Sequence, residues 1–363
     1  MVINDIKAHI DCNADAVDRA LQRVRKSGWV ILGPEVMGFE SAFAQYVGVE
    51  RCVTVANGTD ALEIALRSVG IGSGDRVATV ANAGMYATTA MLAIGAFPVF
   101  MDVDLESRTA SSTSVRRAID LGARAIIVTH LYGKIAPDIA EIADICRQRQ
   151  VPLIEDCAQA HGARLDSRMA GAYGDLACFS FYPTKNLGAL GDGGAIVTKR
   201  VELAEAALRL RQYGWSEKYK VASPGARNSR LDEIQAAVLM ELLPRLDAWN
   251  QRRRCIAESY SAGLSNPAVC APECGGADYV AHLYVIRTNE RDSLREHLKR
   301  VGISTDVHYP VPDHMQPVFG ERYSCLELPN TEALAKTVLT LPCYPEMTDA
   351  DVERVIDAVN RWS

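Results

Sequence analysis

The side chain best placed for covalent chemistry in this chain is Lys185. It directly follows an apolar run, in Phe179-Ser-Phe-Tyr-Pro-Thr-Lys-Asn-Leu-Gly188, with Phe181, Tyr182 and Leu187 as its neighbours. An ammonium held away from water has a lowered pKa, and the neutral amine is a nucleophile towards carbonyls. Read alone, the segment fits a surface lysine in a turn equally well. A second segment, Val151-Pro-Leu-Ile-Glu-Asp-Cys-Ala-Gln-Ala-His161, reads as a buried strand ending in two acids, Glu155 and Asp156. Alternation along a strand sends the two carboxylates to opposite faces. One can therefore meet a ligand at the carboxyl edge of the sheet, where open α/β folds hold their ligands, while the other faces the protein. In a third segment, Val53-Thr-Val-Ala-Asn-Gly-Thr-Asp-Ala-Leu62, a strand runs into Asn57-Gly58-Thr59 and a helix begins at once. Free N–H groups and a partial positive charge make such a helix start a phosphate cup. Thr59 or Asp60 acting only as a helix cap is the alternative.

Together the three segments supply an acid for a pyridinium nitrogen, an amine for an aldehyde and a cup for a phosphate. That combination is what pyridoxal phosphate chemistry requires of a protein. Two other glycine-rich stretches do not support a dinucleotide site. Gly70-Ile-Gly-Ser-Gly74 follows a helix and precedes a strand, the reverse of the required context, and Gly188–Gly194 lies between two strands.

These residues need elements to hold them. Apolar residues at helical spacing predict helices over Asn13–Lys26 and Glu35–Tyr46, each closed by a glycine. Seven short apolar runs then read as strands: Cys52–Val55, Arg76–Val80, Pro98–Asp102, Ala125–Thr129, Val151–Glu155, Ala177–Phe181 and Ala195–Thr198. Helices near Thr59–Val69, Tyr86–Ile94, Val115–Asp120 and Ile139–Arg149 alternate with the earlier ones. Such alternation predicts an α/β fold with a mixed, mostly parallel sheet flanked by helices. Arg209–Arg230 reads as a long polar loop, and a helix bent at Pro244 follows from Leu231 to Arg254. Beyond Asn266 come a strand at Tyr279–Arg287 and helices at Arg291–Arg300 and Asp349–Arg361. The expected division is a large cofactor-binding α/β domain, residues 1–240, and a smaller C-terminal α+β domain, residues 241–363.

With 363 residues the chain has room for about two domains. Its 48% hydrophobic and 23% charged residues describe a globular rather than a disordered protein. A net charge of −6 makes a nucleic acid partner unexpected. The longest apolar run, Ala90–Met101, is interrupted by Gly95 and Pro98 and is too short to cross a membrane, which takes about 20 residues. The charged opening stretch Met1–Asp15 has no signal-peptide core, so a soluble, cytoplasmic protein is expected. Ten cysteines without a CxxC pair, and no histidines at ligand spacing, predict mostly buried, reduced thiols and no metal; Cys270 and Cys274 are the nearest pair.

The chain resembles the sugar aminotransferases of the DegT/DnrJ/StrS group, pyridoxal phosphate enzymes of fold type I. The resemblance rests on Asn57–Leu62, Val99–Val103, His130-Leu-Tyr-Gly133, Glu155–Gly162, Phe179–Gly194 and Asn228-Ser-Arg-Leu-Asp-Glu233, collinear and covering most of the chain. It implies that Lys185 condenses with the cofactor aldehyde and later moves the substrate proton. Asp156 would keep the pyridine nitrogen protonated, Gln159 would contact the ring hydroxyl, and Gly58, Thr59 and Ser180 would bind the phosphate. Asn228 would reach the phosphate of a neighbouring subunit, which implies a homodimer with shared sites. One departure stands out. The aromatic that usually stacks on the ring, two positions after an Asn like Asn82, is Gly84 here, in Asn82-Ala-Gly-Met-Tyr86. Either Tyr86 or Met85 covers the ring instead, or that face is more open.

For the substrate the resemblance implies contacts from Tyr182, from the Tyr213–Tyr219 segment and from His308-Tyr309-Pro310, with Lys218, Lys220 and Arg227 offering positive charge to a diphosphate. A solvated basic face is the alternative for those three cations. The implied reaction carries an amino group from L-glutamate to a keto sugar linked to a nucleotide diphosphate, in amino-sugar biosynthesis. Lys185–Gly194 and Leu210-Arg-Gln-Tyr-Gly214 look most like relatives acting on dTDP-linked 3-keto-6-deoxyhexoses. A 4-keto nucleotide sugar or a keto-inositol is the alternative. A dehydratase of the same scaffold would carry a histidine where Lys185 stands, and a regulatory protein would need a further DNA-binding module.

Overall fold

Strands that are apolar along their whole length must be covered on both faces, which calls for helices above and below the sheet. The computed structural model, which describes residues 1–363, has that arrangement. One sheet contains β1 (Arg51–Val55), β2 (Arg76–Val80), β3 (Phe97–Met101), β4 (Ala125–Thr129), β5 (Leu153–Asp156), β6 (Leu176–Ser180) and β7 (Gly194–Thr198). Each lies within two residues of its predicted span. Their order across the sheet is β1-β7-β6-β5-β4-β2-β3. β7 is antiparallel to both its neighbours, and the remaining pairs are parallel.

This direction pattern decides where chemistry can happen. The carboxyl ends of β1, β4, β5 and β6 and the start of β7 meet at one edge, so Val55 and Ser180 both pair with Gly194. Alternate residues on each strand feed two separate cores. Val53, Val55, Ile127, Ile154 and Ile196 join a cluster of 24 buried side chains under the helices Gly58–Ser68, Tyr86–Ala93 and Val201–Leu210. Val128, Leu153, Phe179 and Val197 join a cluster of 73 that continues through the C-terminal part to Trp362. At its centre Phe43 meets Phe179 edge-on at 5.0 Å and Phe181 at 5.3 Å. Truncating such a buried phenylalanine typically costs about 3–5 kcal/mol.

The later chain differs in detail from the sequence expectation. Arg209–Arg230 is not a bare loop: it holds a short hairpin, Trp215–Glu217 with Lys220–Val221. Pro244 lies in a 3₁₀ turn, Leu243–Arg245, that separates the helices Glu233–Leu242 and Leu246–Gly263. A proline has no N–H for the helical ladder, so the α-helical hydrogen bonding is interrupted there. Of the strand expected over Tyr279–Arg287 only Tyr284–Arg287 forms, and it pairs with Val338–Leu341, a strand that follows directly on the helix Pro329–Thr337. Five of the ten cysteines are buried, and all ten are free. No helix is long and apolar enough to cross a membrane.

Glu233 ties the helix that it begins to the helix Pro34–Val47 near the start of the chain. It is fully buried, and its carboxylate accepts the N–H groups of Gly33 (2.8 Å), Val36 (2.9 Å) and Glu35 (3.0 Å), at the start of the helix Pro34–Val47. Gly33 has no side chain with which to cap that helix, so the acid does so from the distant motif. Two buried donors and a half-buried one lose their acceptor in Glu233→Ala. The expected loss is about 2–4 kcal/mol of unfolding free energy, read from urea midpoints at constant m-value.

Candidate active site

A cavity of about 900 Å³ opens at the carboxyl edge of the sheet. Gly58, Thr59, Asp156, Gln159, Ser180, Tyr182 and Lys185 all line it, together with Tyr86, His308 and Tyr309 from farther along the chain. The motifs read separately in the sequence therefore meet in one place.

Lys185 sits in the turn after β6. Its own N–H donates to the carbonyl of Tyr182 (2.8 Å), and the residues on either side are anchored. Asn4 Nδ2 donates to the Thr184 carbonyl (3.1 Å), while Asn186 Nδ2 donates to Asn250 Oδ1 (2.8 Å) and to the Val280 carbonyl (3.1 Å). Burial lowers the lysine to about 8, against the opposing pull of the Asp156 charge. The wall around it differs from the sequence expectation: Phe181 and Leu187 turn into the core, and His282, His308 and Thr184 face the cavity instead. Burial also depresses both histidines, so they are neutral neighbours.

Asp156 and Glu155 show how alternation divides two acids. Glu155 is fully buried and accepts from Tyr173 N–H (2.7 Å), Gly174 N–H (2.7 Å), Gly171 N–H (2.9 Å) and His130 Nε2 (2.9 Å). His130 Nδ1 accepts from Ala136 N–H (3.1 Å), which leaves the proton on Nε2 for Glu155. Burial works to raise this carboxyl, but His130 and the backbone donors outweigh it and hold it below the ordinary range. His130, Glu155 and Cys157 have ligand atoms within 4.8 Å of one another, a grouping not visible in the sequence. Both imidazole nitrogens and the carboxylate are already engaged in protein hydrogen bonds, so His130 and Glu155 form a structural pair with the Cys157 thiol beside them. Asp156 is the opposite case. It accepts from Ala158 N–H at 3.1 Å and only at long range, 3.4 Å, from the Thr129 hydroxyl. Burial pushes its carboxyl up, opposed by the Ala158 N–H and the charge of Lys185, and its cavity side keeps unused acceptor capacity.

The helix Gly58–Ser68 begins at the same edge. Asn57, rather than Thr59 or Asp60, caps it, its side chain accepting from Asp60 N–H at 2.8 Å. The N–H groups of Gly58 and Thr59 find no acceptor in the chain. Glycine is required here by space: a Cβ on Gly58 would lie 2.8 Å from Ser180 Cβ. Ser180 closes the cup from β6, and the buried Ser229 accepts Ala56 N–H at 3.0 Å from behind. Gln159 accepts Tyr132 N–H (2.6 Å) and donates to the Tyr309 hydroxyl (3.2 Å).

In Asn82–Tyr86, Met85 packs with Ala81, Phe100 and Phe319 away from the cavity, so Tyr86 is the side chain of that pair that lines it. Other expected contacts lie elsewhere on the chain. Lys218, Tyr219 and Asn228 are exposed and do not reach this cavity; Tyr219 is 78% exposed on the Trp215–Val221 hairpin. Arg227 is not free for a diphosphate, because it pairs with Asp60 (2.7 Å) and Glu63, and Lys220 pairs with Glu217 (2.7 Å). Asn4, Thr129, His282, Asp192 and Asp306 line the cavity without having been singled out in the sequence. For Thr129 the signal was available, since it ends the strand beside Asp156. Asp192 lies inside the Phe179–Gly194 motif, where its neighbours drew attention and it did not; for Asn4, His282 and Asp306 there was no signal.

Comparison with known proteins places almost the whole chain in a family. The model of the DegT/DnrJ/EryC1/StrS aminotransferase family matches residues 11–360. A dTDP-3-amino-3,4,6-trideoxy-alpha-D-glucose transaminase of Streptomyces venezuelae is 43% identical over 362 residues, covering 99% of this chain and 95% of that protein. The crystal structure of S. venezuelae DesV in complex with a ketimine intermediate superposes with a TM-score of 0.94 at 42% identity, covering 99% of this chain and 97% of that one. NtdA from Bacillus subtilis, solved with bound cofactor PMP, gives 0.89 at 30% identity, with 96% and 81% covered. With its site residues on the edge of a mostly parallel sheet and its likeness running almost end to end, this chain belongs to the DegT/DnrJ/EryC1/StrS aminotransferase family and is an aminotransferase.

Proposed function

We propose that the cavity holds pyridoxal 5'-phosphate and that the enzyme moves an amino group from L-glutamate to a keto sugar carried on a nucleotide diphosphate, a dTDP-3-keto-6-deoxyhexose. The observation that carries this reading is the pairing of Lys185 and Asp156 in one cavity, an amine lowered by burial and a carboxylate with unused acceptor capacity. The residues fit the cofactor. The unpartnered N–H groups of Gly58 and Thr59, with Ser180, would hold the phosphate, Gln159 the ring hydroxyl and Asp156 the ring nitrogen. Once bound, the cofactor supplies an electron sink for the substrate carbon that loses its proton. Lys185 takes that proton and returns it, a task suited to a group titrating near neutrality. Tyr182 and His308 would orient the sugar. Support for the sugar position comes from the S. venezuelae relative, whose name places the amino group at C3. The volume, at the upper end of the ~300–1,000 Å³ usual for small-molecule sites, suits a cofactor together with a bulky second ligand.

The same reading includes a homodimer with shared sites. Asp156, Asp192 and Asp306 line the cavity with a single lysine, and Asp60 is already paired with Arg227, so cations for a diphosphate would come from a second copy. Lys218, Tyr219 and Asn228 are exposed and would serve the site of a second copy. The division into residues 1–240 and 241–363 belongs to this proposal too; the separate sheet Tyr284–Arg287/Val338–Leu341 supports it.

Four measurements test the reading. Loaded with pyridoxamine phosphate, the protein should regain the aldehyde spectrum with a dTDP-linked 3-keto-6-deoxyhexose. Recovery only with the 4-keto isomer or a keto-inositol would move the substrate assignment. Asp156→Asn keeps the shape and removes the charge, and should lower kcat roughly 10- to 100-fold. In the cofactor-free protein, competitive acetylation of Lys185 should show a midpoint near 8, with the amine reactive above it; a midpoint near 10.5 would contradict the burial argument. Lys185→Ala and Asn228→Ala chains, each inactive alone, should regain about a quarter of wild-type activity when mixed as subunits.

A further inference from the structure

Gly84 leaves a gap in the chain's own wall of the cavity, and a residue from far along the chain fills it. Gly84 has φ +79°, and a Cβ on it would lie 2.8–2.9 Å from three ring atoms of Tyr309. The Tyr309 ring meets Tyr86 edge-on, with centroids 6.1 Å apart and planes at 72°. Both tyrosines line the cavity, and Gln159 holds the Tyr309 hydroxyl. The glycine and the two rings are therefore a matched set: any side chain at residue 84 would displace Tyr309.

What keeps the two strands of sequence in register is Asp313. The helix Tyr86–Ala93 starts without a side-chain cap of its own, because Met85 stands at the cap position. Asp313 supplies the cap instead. Its Oδ1 accepts Met85 N–H (2.9 Å), its Oδ2 accepts the Thr88 hydroxyl (2.6 Å), and its own N–H donates to the Ala81 carbonyl (2.7 Å). The residue is 1% exposed, so these donors replace the water it has lost. An acidic acceptor there also meets the positive end of the helix.

We propose that Asp313 is a positioning residue, which caps the helix beginning at Tyr86 and thereby fixes Tyr309 over Gly84, so that Tyr309 and Tyr86 form the wall that the cofactor ring rests against. The identity of the ring rests on the function proposed above; the clamp itself does not.

The test separates the two. In the cofactor-free protein, Asp313→Ala should speed hydrogen–deuterium exchange in a peptide spanning residues 83–92. In the loaded protein it should weaken pyridoxal phosphate binding about tenfold and flatten the visible circular dichroism of the bound cofactor, which reports asymmetric packing around the ring. Tyr309→Ala should cause the same optical loss, and the double variant should be no worse than Tyr309→Ala alone. Asp313→Asn retains shape and one acceptor, so it should lie between wild type and Asp313→Ala; if Asp313→Ala fails to fold, this variant carries the comparison. Unchanged exchange in both Asp313 variants would overturn the clamp. A lowered melting temperature with undisturbed cofactor dichroism, or losses that add in the double variant, would reduce Asp313 to a cap and overturn the proposal. Wild-type protein that took up no pyridoxal phosphate would overturn the function and the cofactor wall with it, while the exchange data would still decide the clamp.

Discussion

Everything in the cavity depends on an amine and a carboxylate that have both been taken out of water within reach of each other's charge. Burial drives Lys185 down and Asp156 up, and each partner's charge opposes the shift of the other. Neither effect alone would serve. A lysine at its ordinary pKa would hold its proton, and an acid shifted by burial without compensation would be a poorer partner for a cation. Their balance leaves an amine that can gain or lose a proton near neutrality and a carboxylate with acceptor capacity free for a cationic donor.

The sheet makes this balance possible. Asp156 ends β5 and Ser180 ends the parallel neighbour β6, five residues before the lysine, so two adjacent strands deliver both groups to one edge. Reversal of β7 brings Gly194 to the same edge, close against Asn57: a Cβ there would lie 2.4 Å from the Asn57 carbonyl. The strand that ends in Asp156 is itself anchored on the opposite face. Glu155, saturated by three backbone donors and His130, locks the last residues of β5 to the loop 171–174. One acid is thus satisfied so that its neighbour can remain available.

A second theme is capping at a distance. Glu233 closes the start of the helix Pro34–Val47, and Asp313 closes the start of the helix Tyr86–Ala93. In both cases the residue at the local cap position, Gly33 or Met85, makes no side-chain cap. Moving the acceptor to a remote segment makes helix formation conditional on tertiary closure, and it places that segment against the cavity or its supporting core. Asn186 works in a similar way beside Lys185, through Asn250 and Val280.

Local order explains what could be read from residues alone. The strands of the sheet and the helices between them follow from apolar periodicity, a property of consecutive residues, and their predicted spans were nearly those found. Lys185, Asp156 and the Gly58–Thr59 turn stood out as candidates because each lies in a contiguous motif at or just beyond a strand end, and Gln159 through the family resemblance; the structure brings all of them to one cavity. The partners of those residues were not legible. Tyr309 above Gly84, Asp313 on Met85 and Thr88, the orphaned cavity side of Asp156, and the engagement of Arg227 by Asp60 and Glu63 depend on segments that meet only after closure. Sequence alone determined which groups could react, since that is set by residue type and strand periodicity. Only the tertiary structure decided which of them lose water and which find a partner, because desolvation and hydrogen bonding are set by neighbours in space.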